Sequence, residues 1–133
     1  MNIREFIGFG GVVLTADVYG NEGHPCVVLL PSLTQTRKVW ESAAKALAQA
    51  GRYVISLDLR GHGGSDSPKD CNYSLEAFMG DLVAVLSQLE SRPVLVGSNF
   101  GGWIGLAAIG NTSAPIATGL VLTNLPPEFQ SLN

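Results

Sequence analysis

Charged side chains are scarce in this chain, and several features that would place it in a particular class of protein are missing. Only 14% of its 133 residues are charged, the net charge is −3 and no basic cluster occurs, so nucleic acid is not an expected partner. No apolar run reaches the roughly 18 residues of a membrane span. The start of the chain lacks a basic segment followed by an apolar one, so no secretory signal is expected.

Cysteine is also rare, and the two thiols are unrelated in spacing. Cys26 opens an apolar run and is expected to be a core thiol, whereas Cys71 lies in a polar stretch and is expected at the surface. Neither requires an oxidising compartment. We therefore expect a cytoplasmic protein that needs no metal and no organic cofactor.

Apolar residues, by contrast, make up 46% of the chain, and they fall into alternating strand-like and helix-like segments. Two β-type runs flank Gly10 and Gly11 and predict an antiparallel hairpin. The continuous apolar runs downstream are typical of strands covered on both faces of a parallel sheet. The predicted strands are 3–9, 12–19, 26–30, 53–57, 94–96 and 119–123, and the predicted helices are 37–50, 74–89 and 100–110.

This alternation predicts one α/β domain over residues 1–133, with a three-layer, mostly parallel sheet, flanking helices and the hairpin at its start. Ser74 is the expected N-cap of the second helix. Residues 119–123 are expected to form a last buried strand, followed by a proline-rich tail over 125–133. The first helix is expected to pack through one face, made of Val39, Ala43, Ala46, Leu47 and Ala50.

The stretch Val94–Gly102 carries the clearest functional signal. An apolar strand stops at Gly97, and a helical segment restarts at Gly101. This pattern is similar to the Gly-x-Ser-x-Gly turn that holds the nucleophile in α/β-hydrolases. The glycines are needed because side chains two positions from a strained turn residue would collide across it. That spacing places Asn99 at the apex and Ser98 beside it.

Three stretches together resemble the α/β-hydrolase superfamily: residues 27–36, the segment Asp58–Asp66 and the turn around Asn99. The middle one, Asp-Leu-Arg-Gly-His-Gly-Gly-Ser-Asp, is similar to a loop of the esterase, enol-lactonase and C–C hydrolase branch. The likeness covers about residues 10–127. It implies an incomplete α/β-hydrolase fold, with six of the family's eight strands, and a cap domain or seventh strand following near residue 130.

The resemblance also implies where a site would lie and what it would bind. A backbone N–H near Leu33, paired with the N–H of Phe100, would stabilise a developing oxyanion. Ser32, Ser98 and Trp103 would belong to the pocket and its loops. Many members carry His-Gly where this chain has Pro-Ser before Leu33, but backbone donors survive a change of side chain. The implied substrate is a small ester- or lactone-like molecule.

The catalytic groups of the family are incomplete in this sequence. The triad runs Ser, then Asp or Glu, then His along the chain. Here the apex residue is Asn99, both histidines (His24 and His62) precede it, and Glu128 is the one acidic side chain that follows it. We expect this chain to be an inactive or impaired hydrolase. Two alternatives stay open, namely a binding module that keeps the pocket and an enzyme completed by a second chain.

Several polar residues admit a second interpretation. Ser98 could act as a displaced nucleophile, and Asn99 could stand in for the Asp of some branches. His62 could be a stray base, but we favour a role in holding its loop by hydrogen bonds. Asp58 and Asp66 could form a carboxylate pair for acid/base work or a metal site, but turn structure, with Arg60 and Lys69 nearby in the same loop, is favoured. Missing strands would leave an open sheet edge, which is a route to self-association.

Overall fold

The structure, a computed structural model, describes residues 1–124. Its elements alternate between strands and helices as the sequence predicts. Two short 3₁₀ turns, Phe9–Gly11 and Arg37–Trp40, precede β2 and α1. The remaining elements are β1 (Asn2–Ile7), β2 (Val13–Tyr19), β3 (Cys26–Leu30), α1 (Glu41–Gln49), β4 (Tyr53–Leu57), α2 (Leu75–Ser87), β5 (Val94–Ser98), α3 (Phe100–Gly110) and β6 (Gly119–Thr123).

The strands form one six-stranded sheet in the order β1-β2-β4-β3-β5-β6. The pairs β1–β2 and β2–β4 are antiparallel, whereas β4, β3, β5 and β6 run parallel. Parallel strands end at the same edge of a sheet, so the segments after β3, β4, β5 and β6 lie along one edge. The predicted α/β class, with a mostly parallel sheet opened by an antiparallel hairpin, is confirmed.

The core has two layers because successive side chains of each strand face opposite sides of the sheet. Along β3, Val28 belongs to the larger cluster, which also contains Leu82 of α2 and Ile104 of α3. Its neighbour Leu29 belongs to the smaller cluster, which contains Ala44 of α1. The helices therefore cover both faces of the sheet, and the three-layer prediction is confirmed.

The predicted packing face of the first helix is wrong at every residue except Leu47. Residues 37–40 form a 3₁₀ turn, and the α-helix begins at Glu41. A 3₁₀ turn has about three residues per turn instead of 3.6, so a periodicity counted from Val39 is out of phase with the helix that follows. Val39 is 53% exposed, and Ala43, Ala46 and Ala50 are also exposed. The packed face consists of Ala44, Leu47 and Ala48.

The strand β6 is less covered than predicted. None of its residues is buried, and Val121 is 49% exposed. Among residues 1–124, β6 pairs with β5 alone. An edge strand has a neighbouring strand on one side only, which leaves its residues more exposed. The expectation of a last buried strand is therefore wrong. The predicted tail over 125–133 lies outside the described residues.

Other local predictions hold. Ser74 caps α2, because its Oγ accepts a hydrogen bond from the Ala77 N–H at 3.2 Å. The thiol of Cys26 is buried and that of Cys71 is exposed, as predicted. In the part of the chain that the structure describes, no helix combines the length and the apolar character needed to cross a bilayer.

Candidate active site

The turn between β5 and α3 is strained at Asn99. Its φ of 53° and ψ of −118° lie outside the small left-handed region that non-glycine residues visit. Two backbone hydrogen bonds hold it, from the Asn99 N–H to the Thr123 carbonyl at 2.9 Å and from the Trp103 N–H to the Asn99 carbonyl at 3.1 Å. Within residues 1–124 the Asn99 carboxamide itself makes no hydrogen bond. The turn is therefore held by its surroundings.

Glycines on both sides of Asn99 make this turn sterically feasible. A Cβ at Gly97 would lie 2.6 Å from the carbonyl carbon of Gly101. A Cβ at Gly101 would lie 2.6 Å from the Leu30 carbonyl oxygen and closer still to that of Pro31. The first turn of α3 thus packs backbone to backbone against the end of β3. This contact brings the loop after β3 next to the start of α3.

That loop carries Leu33, which is 40% exposed. Residues 32–35 form a turn in which the Gln35 N–H donates to the Ser32 carbonyl at 3.2 Å. The Ser32 N–H in turn donates to the Gln35 side-chain Oε1 at 3.2 Å. In the described part of the chain, neither the Leu33 N–H nor the Phe100 N–H donates a hydrogen bond. Two adjacent segments therefore each present an unused backbone donor.

The remaining predicted site residues flank this turn. Ser98, the last residue of β5, accepts a hydrogen bond from the Asn124 Nδ2 at 3.5 Å. The Phe100 ring packs edge-to-face on Phe78, with centroids 5.1 Å apart, so its side chain belongs to the core. Trp103 is partly buried in the first turn of α3. Asn124 was not predicted as a site residue, although it is a polar residue directly after a strand at this edge of the sheet.

The segment 58–66 is tied to the segment after β3 through Asp58. This fully buried carboxylate accepts the Arg37 N–H at 2.6 Å and the Gly64 N–H at 2.8 Å. It also forms an ion pair with the Arg37 guanidinium. Arg37, and not the Arg60 and Lys69 of its own loop, is therefore the partner of Asp58. Asp66 contributes its backbone N–H, which donates to Val13.

The Arg37 guanidinium also pairs with Asp17 on β2, at 2.8 Å from its Nε. Burial raises the pKa of Asp17, but hydrogen bonds from Lys38 and Arg37 outweigh it and hold that pKa below its ordinary value. Burial likewise lowers the pKa of Arg37, and its bonds to Asp17 and Asp58 more than reverse that effect. These groups are charged and mutually paired, so they stabilise the loops without offering a free acid or base.

The ionic partner of Arg60 is on α2, and not the Asp58 or Asp66 of its own loop. The residue is 1% exposed, and its guanidinium binds Asp81 of α2 through Nε at 2.6 Å and Nη2 at 2.7 Å. It also donates to the carbonyls of Asn72 and Phe9. The hydrogen bond to Asp81 is the main cause that raises the pKa of Arg60. An acidic residue on the apolar stripe of α2 was a signal for a buried basic partner.

The contacts of His62 agree with the favoured interpretation, in which this residue holds its loop by hydrogen bonds. Its Nδ1 lies 2.8 Å from the Arg60 carbonyl, and its Nε2 accepts the Thr34 N–H at 3.2 Å. Both ring nitrogens are therefore engaged. Among residues 1–124, no three His, Cys, Asp or Glu side chains come together as a metal site would require.

A cavity of about 380 Å³ lies elsewhere on the same edge of the sheet, between the hairpin turn and residues 66–72. Arg60, Asp66 and Lys69 are among its lining residues, and none of the residues predicted for the site at Asn99 is. The Arg60 guanidinium there is already bound to Asp81 and two carbonyls. The cavity is therefore distinct from the turn at Asn99.

The mixed sheet, the helices on both faces and the strained strand–helix turn define the class of α/β hydrolases. A family model described as the alpha/beta hydrolase fold matches residues 25–133, and the chain belongs to this family. It is 41% identical over 85 residues to the mouse sn-1-specific diacylglycerol lipase ABHD11, covering 62% of this chain and 27% of that protein. It is 34% identical over 100 residues to epoxide hydrolase A of Mycobacterium tuberculosis, covering 74% of this chain and 31% of that protein.

Solved structures of the class share this architecture. The esterase RhEst1 from Rhodococcus sp. ECU1013 superposes on this chain with a TM-score of 0.80 and 32% sequence identity. The superposition covers 92% of this chain and 45% of the esterase. The chain thus spans less than half the length of each of these three proteins.

Proposed function

We propose that this chain corresponds to the first six strands of an α/β hydrolase that keeps its ligand site but carries an unreactive residue at the nucleophile position. The observation that supports this is the backbone of Asn99, with φ of 53° and ψ of −118°, held between Gly97 and Gly101. The turn presents a side chain at the edge of the sheet where the parallel strands end. A carboxamide is not a nucleophile, so this residue binds without attacking.

The proposed ligand is a small, uncharged ester- or lactone-like molecule. The relatives are named as a diacylglycerol lipase, an epoxide hydrolase and an esterase, and each of these substrates gains negative charge on oxygen when it is attacked. The N–H groups of Leu33 and Phe100 would donate to that oxygen. Asn99 would add a donor and an acceptor to the site. No metal or organic cofactor takes part in the proposal.

The proposed lack of turnover rests on the groups around Asn99. The nitrogen lone pair of the Asn99 carboxamide is delocalised into its carbonyl and is not nucleophilic enough to attack a substrate, and both nitrogens of His62 are engaged elsewhere. An α/β-hydrolase site that has lost its triad retains at best about 10³–10⁴-fold acceleration over water, from the oxyanion donors and binding. Residues 1–133 are therefore expected to bind such a ligand and to turn it over negligibly.

The test is covalent labelling by a fluorophosphonate together with hydrolysis of a p-nitrophenyl ester series. The wild-type chain should show neither labelling nor ester turnover above the buffer rate. Asn99→Ser should also stay unlabelled, because a hydroxyl needs an adjacent general base to become nucleophilic and both nitrogens of His62 are already hydrogen-bonded. Ser98→Ala is the matched control and should behave as the wild type. Labelling of the wild type that disappears in Ser98→Ala would assign the nucleophile to Ser98 and overturn the proposal.

Self-association through the sheet edge is a second candidate, favoured by one observation. β6 pairs with β5 alone among the described residues, and Val121 on it is 49% exposed. An unpaired edge strand can pair with a second copy. Size-exclusion chromatography with light scattering should then show a dimer that Val121→Lys converts to monomer. A wild-type monomer at all concentrations would exclude this candidate.

A further inference from the structure

We infer that His62 is a positioning residue, which holds the Thr34 amide and thereby fixes the turn that presents the Leu33 N–H. The inference rests on the proposed function in one respect, namely that this N–H meets the ligand oxygen. The contact itself joins two segments that are 28 positions apart in sequence. It connects the loop after β4 to the loop after β3.

The turn that His62 holds is strained. Thr34 has a φ of 68°, and a β-branched residue at positive φ is an outlier because its branched Cβ crowds the backbone. Inside the turn, two hydrogen bonds at 3.2 Å join Ser32 and Gln35. Within residues 1–124, the hydrogen bond from Thr34 to His62 is the one that ties residues 32–35 to another part of the chain. An external support is needed to keep such a conformation.

The His62 ring is itself fixed in position and in tautomer. Because Nε2 accepts the Thr34 N–H, the proton of the neutral ring is on Nδ1, which donates to the Arg60 carbonyl at 2.8 Å. Arg60 is held in position, because its guanidinium donates hydrogen bonds to Asp81 and to two backbone carbonyls. The turn at Thr34 is therefore connected to the buried ion pair of Arg60 and Asp81 through the His62 imidazole and the Arg60 carbonyl.

A second attachment lies just beyond the turn. The Asp58 carboxylate accepts the Arg37 N–H at 2.6 Å and, within its own loop, the Gly64 N–H at 2.8 Å. The loop after β4 thus holds the segment after β3 at Thr34 and at Arg37. The orientation of the Leu33 N–H therefore depends on the contact between Thr34 and His62.

The test compares amide hydrogen exchange in His62→Ala, His62→Gln and the matched control His24→Ala. Thr34 should exchange about fivefold faster in His62→Ala, the factor that one hydrogen bond of typical net strength produces. The Gln side chain can offer an acceptor to the same N–H and should restore part of the protection. His24→Ala should leave Thr34 unchanged. Unchanged Thr34 exchange in His62→Ala overturns the inference.

The tautomer of His62 can be measured in the wild-type protein, so this test does not require the variants to fold. Ring ¹⁵N spectra should show His62 protonated on Nδ1 and unprotonated on Nε2, and the opposite tautomer overturns the inference. Titration with butylphosphonate, followed at the Leu33 and Phe100 amides, tests the ligand role of these N–H groups separately from the positioning role of His62. Chemical-shift changes at both amides that weaken in His62→Ala support both roles. Absent shifts in the wild type, with faster Thr34 exchange in His62→Ala, overturn the proposed ligand role and leave the His62 contact standing.

Discussion

Replacing Gly101 by Ala tests whether backbone packing holds α3 against the end of β3. The added Cβ would lie 2.6 Å from the Leu30 carbonyl oxygen, about 0.8 Å inside the 3.4 Å at which ordinary contact begins. The opposing atoms are backbone and cannot rotate away. Overpacking of this kind costs about 1–3 kcal/mol, and the helix-propensity gain from Ala recovers less than about 1 kcal/mol. We expect a net loss of about 1–2 kcal/mol in the free energy of unfolding.

The same helix supplies a matched control in Gly110→Ala. No atom lies within 4 Å of a Cβ built there, so Ala should stabilise the protein by about 0.5 kcal/mol through reduced freedom of the unfolded chain. Urea denaturation, followed by tryptophan fluorescence, should separate the two variants by about 1 M or more in midpoint. Equal midpoints for Gly101→Ala and Gly110→Ala would refute the packing argument.

Asp81→Ala leaves the buried Arg60 guanidinium without its counter-ion, and urea denaturation should show a loss of about 3–5 kcal/mol; a change below about 0.5 kcal/mol would contradict a buried pair. The pKa of Asp17 is lower in the folded state than its ordinary 3.8, so the stability that it contributes is complete above that value and disappears as the pH falls through the folded pKa. Asp17→Asn should accordingly flatten the pH dependence of unfolding below about pH 4, and an unchanged profile would disprove the assignment. Burial raises the pKa of Cys26 to about 11, so a chromogenic disulfide reagent at pH 8 should titrate Cys71 alone in the native protein and both thiols in urea.

The strands were predictable where breakers bound a continuous apolar run. Residues 26–30, 53–57 and 119–123 are strands with the predicted bounds, since proline, glycine or polar residues stand beside them. The strand predicted over 94–96 continues to Ser98. That extension comes from pairing with β6 through Gly97 and Ser98, which a local pattern does not reveal.

Features that depend on distant partners were less accessible. The phase of α1 is set by the 3₁₀ turn before it, and the sequence shows no mark of a change in helical pitch. The ion pair between Arg60 and Asp81 joins residues 21 positions apart, and neither residue reveals the other until the fold is known. For the candidate site, the glycine spacing around Asn99 located the turn. The contact between His62 and Thr34 depends on the order of β3 and β4 in the sheet.

The backbone at Asn99 has an evolutionary consequence. Its conformation depends on glycines, on a neighbouring strand and on the end of β3, and the carboxamide makes no hydrogen bond among the described residues. A serine or an aspartate at this position would therefore leave the backbone hydrogen bonds of the turn unchanged. Asparagine codons differ from those for serine and for aspartate by a single base. A point mutation would thus place a hydroxyl or a carboxylate on a scaffold that is already shaped to display it.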